Sequence, residues 1–127
     1  TRLASYNGAP VSNFLSQEAL DKVAADTMVG GATLTGLLGT SAWYAPGASV
    51  AYLVDSILNN QKRMIPCSVF LEGEYGQEDI CMGVPCIIGK NGVEQIVDIQ
   101  LNDAEKAAFS KSADAVRAMN ADLKSVL

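Results

Sequence analysis

The sequence predicts an α+β fold: an antiparallel hairpin and a three-stranded meander packed with three long helices. Three observations carry this. Turn signals stand between apolar segments at Asn7-Gly8 and Lys90-Asn91-Gly92. Three stretches repeat apolar residues at helical spacing. The runs "MIPCSVFL", "ICMGVPCIIG" and "VEQIVDI" are short, apolar and bounded by polar or glycine-bearing connectors.

Residues 1–15 read as a hairpin. Asn7-Gly8 tolerates positive φ at both turn positions, and Leu3, Val11, Phe14 and Leu15 supply apolar positions. Ser16 caps the first helix, with Glu18 and Asp21 near its positive end. Leu20, Val23, Ala24, Thr27, Met28, Gly31, Leu34, Leu37 and Leu38 follow helical spacing. The pair Gly30-Gly31 costs about 1 kcal/mol per glycine relative to Ala, so close approach by another backbone is expected there. Gly39 ends the helix.

The second helix follows "TSAWYAPGAS", with Pro46 at an early position where a missing N–H is no loss. Val50, Leu53, Val54, Ile57 and Leu58 are its expected apolar face, and Asn59-Asn60 its end. Residues 64–71 read as a buried strand and "EGEYGQED" as a solvated connector in which Tyr75 covers a sheet edge. Pro85 points to an edge or a bulge in the next strand. Asn102 and Glu105 form a capping box. Phe109, Ser112, Val116, Met119, Leu123 and Val126 are the expected face of the last helix.

A chain of 127 residues with 49% hydrophobic and 18% charged residues can bury a core as one domain. Net charge is −5, and the nine Lys and Arg residues form no patch, which argues against nucleic acid and anionic membrane as partners. No apolar run approaches the roughly 20 residues of a membrane span, and the opening residues do not read as a secretion signal. The expected compartment is cytoplasmic, with Cys67, Cys81 and Cys86 as reduced, small buried hydrophobes. The start "TRLASYNGAP" lacks Met and is already in strand-like rhythm, so the chain is expected to be a piece of a longer polypeptide.

Catalytic motifs fail their tests. "GVPCIIGKNG" spells like a phosphate-binding loop, but five residues separate Gly83 from Gly89 where four are required, and Asn91 stands where a hydroxyl is needed. A hairpin turn is the better reading. The sequence has no His, which removes His-based triads and imidazole zinc sites. Glu72, Glu74, Glu78 and Asp79 do not match a calcium loop. Neither a metal site nor a complete catalytic set is expected. A self-contained thiol enzyme is the weakest reading, because no cationic cluster is evident to lower a thiol pKa.

The blocks "SAWYAP", "KRMIPCSVFLEGEYG", "MGVPCIIGKNGVEQIVDIQLNDAEKAAF" and "SADAVR", with "YNGAPVSNFL" at the front, span almost the whole chain. Together they closely resemble the carboxyl-terminal, substrate domain of NAD-dependent malate dehydrogenases of the lactate/malate dehydrogenase family. The resemblance implies a truncated substrate and oligomerisation domain over 1–127. The Rossmann domain, the catalytic His and the carboxylate-gripping arginines would lie upstream, so no catalytic residue is assigned here. It implies that Ser41, Ala42 and Pro46 form a helix start facing substrate and nicotinamide, where a small Ala42 leaves room for a second carboxylate. It further implies NAD as cofactor, malate and oxaloacetate as substrates, a homodimer or homotetramer, and subunit packing through the Gly30-Gly31 helix. The alternatives are a lactate dehydrogenase fragment and a non-catalytic, self-associating module.

Overall fold

The computed structural model describes residues 1–123, and the chain divides into two compact units, Thr1–Ala48 and a second beginning at Ser49. In the first unit, β1 (Ser5–Tyr6) and β2 (Ala9–Pro10) pair antiparallel around Asn7 and Gly8, whose φ values are 48° and 84°. Both turn residues are left-handed, as the two-residue hairpin requires. Tyr6 and Phe14 meet edge to face with ring centroids 6.3 Å apart. Helix α1 (Gln17–Leu38) starts at Ser16, whose hydroxyl accepts from the Ala19 N–H at 3.3 Å. It ends where Gly39 turns left-handed, at φ 68°. Gly30 and Gly31 do not break it, and a Cβ added at either would meet nothing within 4 Å. Among the described residues, none makes the expected close approach. Met28 and Leu37 are more than four-fifths exposed, and Val23, Val29, Leu34 and Leu38 are also exposed.

Helix α2 (Tyr44–Leu58) leads into the second unit, where β3 (Arg63–Glu72), β4 (Glu78–Gly89) and β5 (Gly92–Ile96) form an antiparallel sheet in that order. Helix α3 (Asp103–Leu123) follows. Its start is the expected capping box: Glu105 N–H donates to Asn102 Oδ1 and Asn102 N–H to Glu105 Oε2, each at 2.9 Å. The core is one face of β4 (Ile80, Met82, Val84, Cys86 and Ile88), joined by Leu71 and Ala113. Leu53 and Ile57 of α2 and Phe109 and Val116 of α3 pack against it.

Several expectations change. Strand β3 is two-faced rather than buried: Met64 and Phe70 are exposed while Ile65, Cys67 and Val69 face the core. On α2, Val50, Val54 and Leu58 are exposed, and the inward stripe is Leu53, Ser56 and Ile57. On α3, Met119 and Leu123 are exposed, and Ala113 takes the inward place expected of Ser112. Val126 lies outside the described residues. Cys86 is buried and Cys67 half-buried, but Cys81 is exposed, because the two-residue period of β4 turns it away from the core. In the turn between β4 and β5 the positive φ belongs to Gly92 and not to Asn91.

Pro85 is not at an edge. It lies in the central strand, opposite Pro66. Continuing the Cys86–Ile96 register by one residue sets Val97 opposite Pro85, and the Val97 N–H donates to the Pro85 carbonyl at 2.8 Å. The return bond has no donor, because proline has no N–H. The Tyr75 hydroxyl donates to the Val97 carbonyl instead and accepts from the Ile99 N–H at 3.0 Å. Tyr75 thus replaces the missing ladder bond, from a connector where its own φ is 55°.

Candidate functional site

The segment singled out in the sequence joins α1 to α2. After Gly39 closes α1, residues 40–43 are irregular and Tyr44 opens α2. Pro46 is the third residue of α2. The first intrahelical bond runs from the Gly47 N–H to the Trp43 carbonyl at 2.8 Å, so the missing proline N–H breaks nothing. The first-turn N–H groups of Tyr44 and Ala45 lack intrahelical acceptors and carry the positive end of the helix dipole.

Ser41, Ala42 and Pro46 thus sit together at one helix start. Ser41 and Pro46 are exposed and Ala42 is half-buried. The segment offers a small side chain, a rigid ring, a hydroxyl and a polarised helix terminus. It offers no nucleophile paired with a base. Trp43 and Tyr44, not named as pocket residues, flank the start with rings 6.2 Å apart, and both are exposed. No periodicity identifies them: two adjacent aromatics at a helix start read equally well as packing.

A separate groove of about 610 Å³ is lined by Phe70, Ile80 and Cys81 of the sheet and Val116, Arg117 and Ala121 of α3, among others. Arg117 is engaged there in holding the connector, donating to Gln77 Oε1 at 2.9 Å and to the Glu78 carbonyl at 3.1 Å. Glu74, in the same connector, accepts from the Glu72 N–H at 2.7 Å, which lowers its carboxyl pKa. Burial, with Cys67 beside it, pushes the Cys86 thiol above its ordinary value, so that sulfur is not an activated nucleophile. Among the described residues no three His, Cys, Asp or Glu side chains are grouped to hold a metal, and no helix is long and apolar enough to cross a membrane.

The fold of the α/β C-terminal domain of lactate/malate dehydrogenases accounts for this arrangement, and that family's pattern matches residues 4–126. The chain belongs to the lactate/malate dehydrogenase family. It is 83% identical over 127 residues to a malate dehydrogenase of Flavobacterium frigidimaris, covering all of this chain and 41% of that protein. It is 67% identical over 126 residues to a malate dehydrogenase of Bacteroides thetaiotaomicron, covering 99% of this chain and 40% of that one. Among solved structures, the Salinibacter ruber malate dehydrogenase superimposes with a TM-score of 0.96 at 36% identity, over 98% of this chain and 41% of that one. The Eimeria maxima lactate dehydrogenase, solved with NADH and oxamate, gives 0.94 at 34% identity, over the same shares. The chain spans about two fifths of the length of the relatives it matches.

Proposed function

We propose that the intact protein is an NAD-dependent malate dehydrogenase interconverting malate and oxaloacetate, and that this chain is the substrate-side wall of its cleft. The observation that carries the reading is the 83% identity to a protein named malate dehydrogenase over the full 127 residues. A lactate dehydrogenase fragment is the lesser alternative, since the lactate dehydrogenase matched is only 34% identical.

The residues present fit one edge of the cofactor and no more. Pro46 presents an exposed ring fixed by the first turn of α2. It would pack on the nicotinamide, which when bound supplies the hydride acceptor. Ala42 would leave space for the second carboxylate that distinguishes oxaloacetate from pyruvate. Ser41 and the first-turn N–H groups would hold a negatively charged group at the helix terminus. The proton-accepting His and the carboxylate-gripping Arg would come from the upstream part. The exposed apolar residues of α1, with Met28 and Leu37 foremost, suit burial against a second subunit. The reading takes the intact protein to be a cytoplasmic homodimer or homotetramer.

The test is NADH oxidation by the full-length protein with oxaloacetate and with pyruvate, run beside this 127-residue chain alone. The full-length enzyme should prefer oxaloacetate and the chain alone should match a blank. A preference for pyruvate, or turnover by the chain alone, would overturn the reading.

A further inference from the structure

The chain holds Asn-Gly pairs at two hairpin turns, and the fold gives their backbones different conformations. Asn7-Gly8 joins β1 to β2 with both residues left-handed, at φ 48° and 84°. Asn91-Gly92 lies at the turn between β4 and β5, where only Gly92 is left-handed, at φ 85°. The Asn91 N–H also donates to the Glu94 carboxylate.

An asparagine followed by glycine can close on itself. The glycine nitrogen loses its proton to base and attacks Cγ of the carboxamide. The new C–N bond closes a five-membered imide, and the Cγ–Nδ2 bond breaks with release of ammonia. Water then opens the imide at either carbonyl, giving aspartate or isoaspartate and one added negative charge. Closure needs Cβ and the glycine nitrogen eclipsed about the Cα–C bond. For an L residue that is a ψ of about −120°, the value at the first central position of a type II′ turn.

Type I′ and II′ turns share a positive φ at that position and differ by a flip of the central peptide plane. From the Asn7 backbone the ring geometry is therefore one flip away. Gly8 follows the flip at no steric cost, because glycine takes either sign of φ. The Tyr6–Ala9 pairing and the bond from the Val11 N–H to the Ala4 carbonyl, at 3.0 Å, do not involve that peptide. Asn91 has the opposite sign of φ. A ψ of about −120° at negative φ lies outside the allowed regions, so Asn91 has to leave its turn before it can react.

We propose that Asn7 is a self-modifying site, converted in the folded protein to aspartate and isoaspartate through the Gly8 nitrogen, and that the backbone of Asn91 protects it from the same reaction. Isoaspartate adds a methylene to the main chain, which a two-residue loop cannot hold in register.

The experiment incubates the full-length protein at mildly alkaline pH, folded and in denaturant, and follows both peptides by mass spectrometry. In the folded protein Asn7 should convert about tenfold or more faster than Asn91. In denaturant the two rates should converge. An aspartate-specific endoprotease, which spares isoaspartate, should find both products at Asn7. Asn7→Gly keeps a left-handed turn without the carboxamide, and should remove the main acidic species that ageing produces on isoelectric focusing. Equal rates in the folded protein, or a faster Asn91, would overturn the proposal. So would a rate difference that persists in denaturant, since it would then belong to the neighbouring residues and not to the turn. Aspartate as the sole product would exclude the imide route.

Discussion

The Tyr75 hydroxyl donates to the Val97 carbonyl, the group left without its ladder donor by Pro85 on the facing strand. A proline in a central strand is thus tolerated because a side chain supplies the proton its ring lacks. Tyr75 also packs on Phe109, with centroids 5.4 Å apart, so the same residue ties the connector to α3.

Tyr75→Phe keeps the ring contact and removes the hydroxyl, leaving the Val97 carbonyl and the Ile99 N–H unsatisfied. Denaturant unfolding should show a loss of about 1–3 kcal/mol. Pro85→Ala restores an N–H beside Val97, so the loss on Tyr75→Phe should be smaller in the Pro85→Ala background, by roughly 1 kcal/mol of coupling. Additive losses would mean that the hydroxyl does not stand in for the ladder bond.

Glu94 titrates below its ordinary value of 4.5, chiefly because the Lys62 ammonium hydrogen-bonds its carboxylate. A folded-state pKa below the unfolded one stabilises the fold at pH above the unfolded value. That contribution is lost as pH falls from near 4.5 through the lower folded pKa. Lys62→Ala should raise the Glu94 pKa followed by carboxyl NMR and flatten this part of the acid limb. Glu74, held down by the Glu72 N–H, should not move. A Glu94 titration indifferent to Lys62→Ala would remove Lys62 as the cause.

The three thiols should separate by exposure. Cys81 is open to solvent, Cys67 half-buried, and Cys86 buried with its pKa pushed up. Under native conditions iodoacetamide should modify Cys81 first and leave Cys86 intact until denaturant opens the core. Mass spectrometry of peptides quenched at intervals checks this order. Early loss of Cys86 would show that the sheet opens locally.

Local signals were legible in the sequence wherever a short segment satisfies its own backbone. Ser16 at α1, the Asn102–Glu105 box at α3 and the left-handed Asn7-Gly8 turn each need only a few neighbouring residues. Which face of a helix is covered is not a local property. Met28 and Leu37 share the helical rhythm of Leu20 yet stand exposed, and a Cβ at Gly30 or Gly31 would meet no described residue within 4 Å, because periodicity reports what can be buried and not what covers it. Pro85 misled for a related reason: its missing donor is replaced by Tyr75, ten residues upstream in the connector and brought back over the sheet by a turn no propensity reveals. Ser41, Ala42 and Pro46 carry no reactive pattern of their own, and only the family resemblance singled them out.

The pocket role of Ala42 is the central claim, and Ala42→Ile in the full-length enzyme tests it most directly. Extra methylenes should crowd the second carboxylate of oxaloacetate and spare pyruvate, which lacks it. The ratio of kcat/KM for oxaloacetate to that for pyruvate should fall about tenfold or more. A ratio unchanged by Ala42→Ile, with the variant folded as the parent is, would contradict the account and leave this helix start outside the substrate cleft.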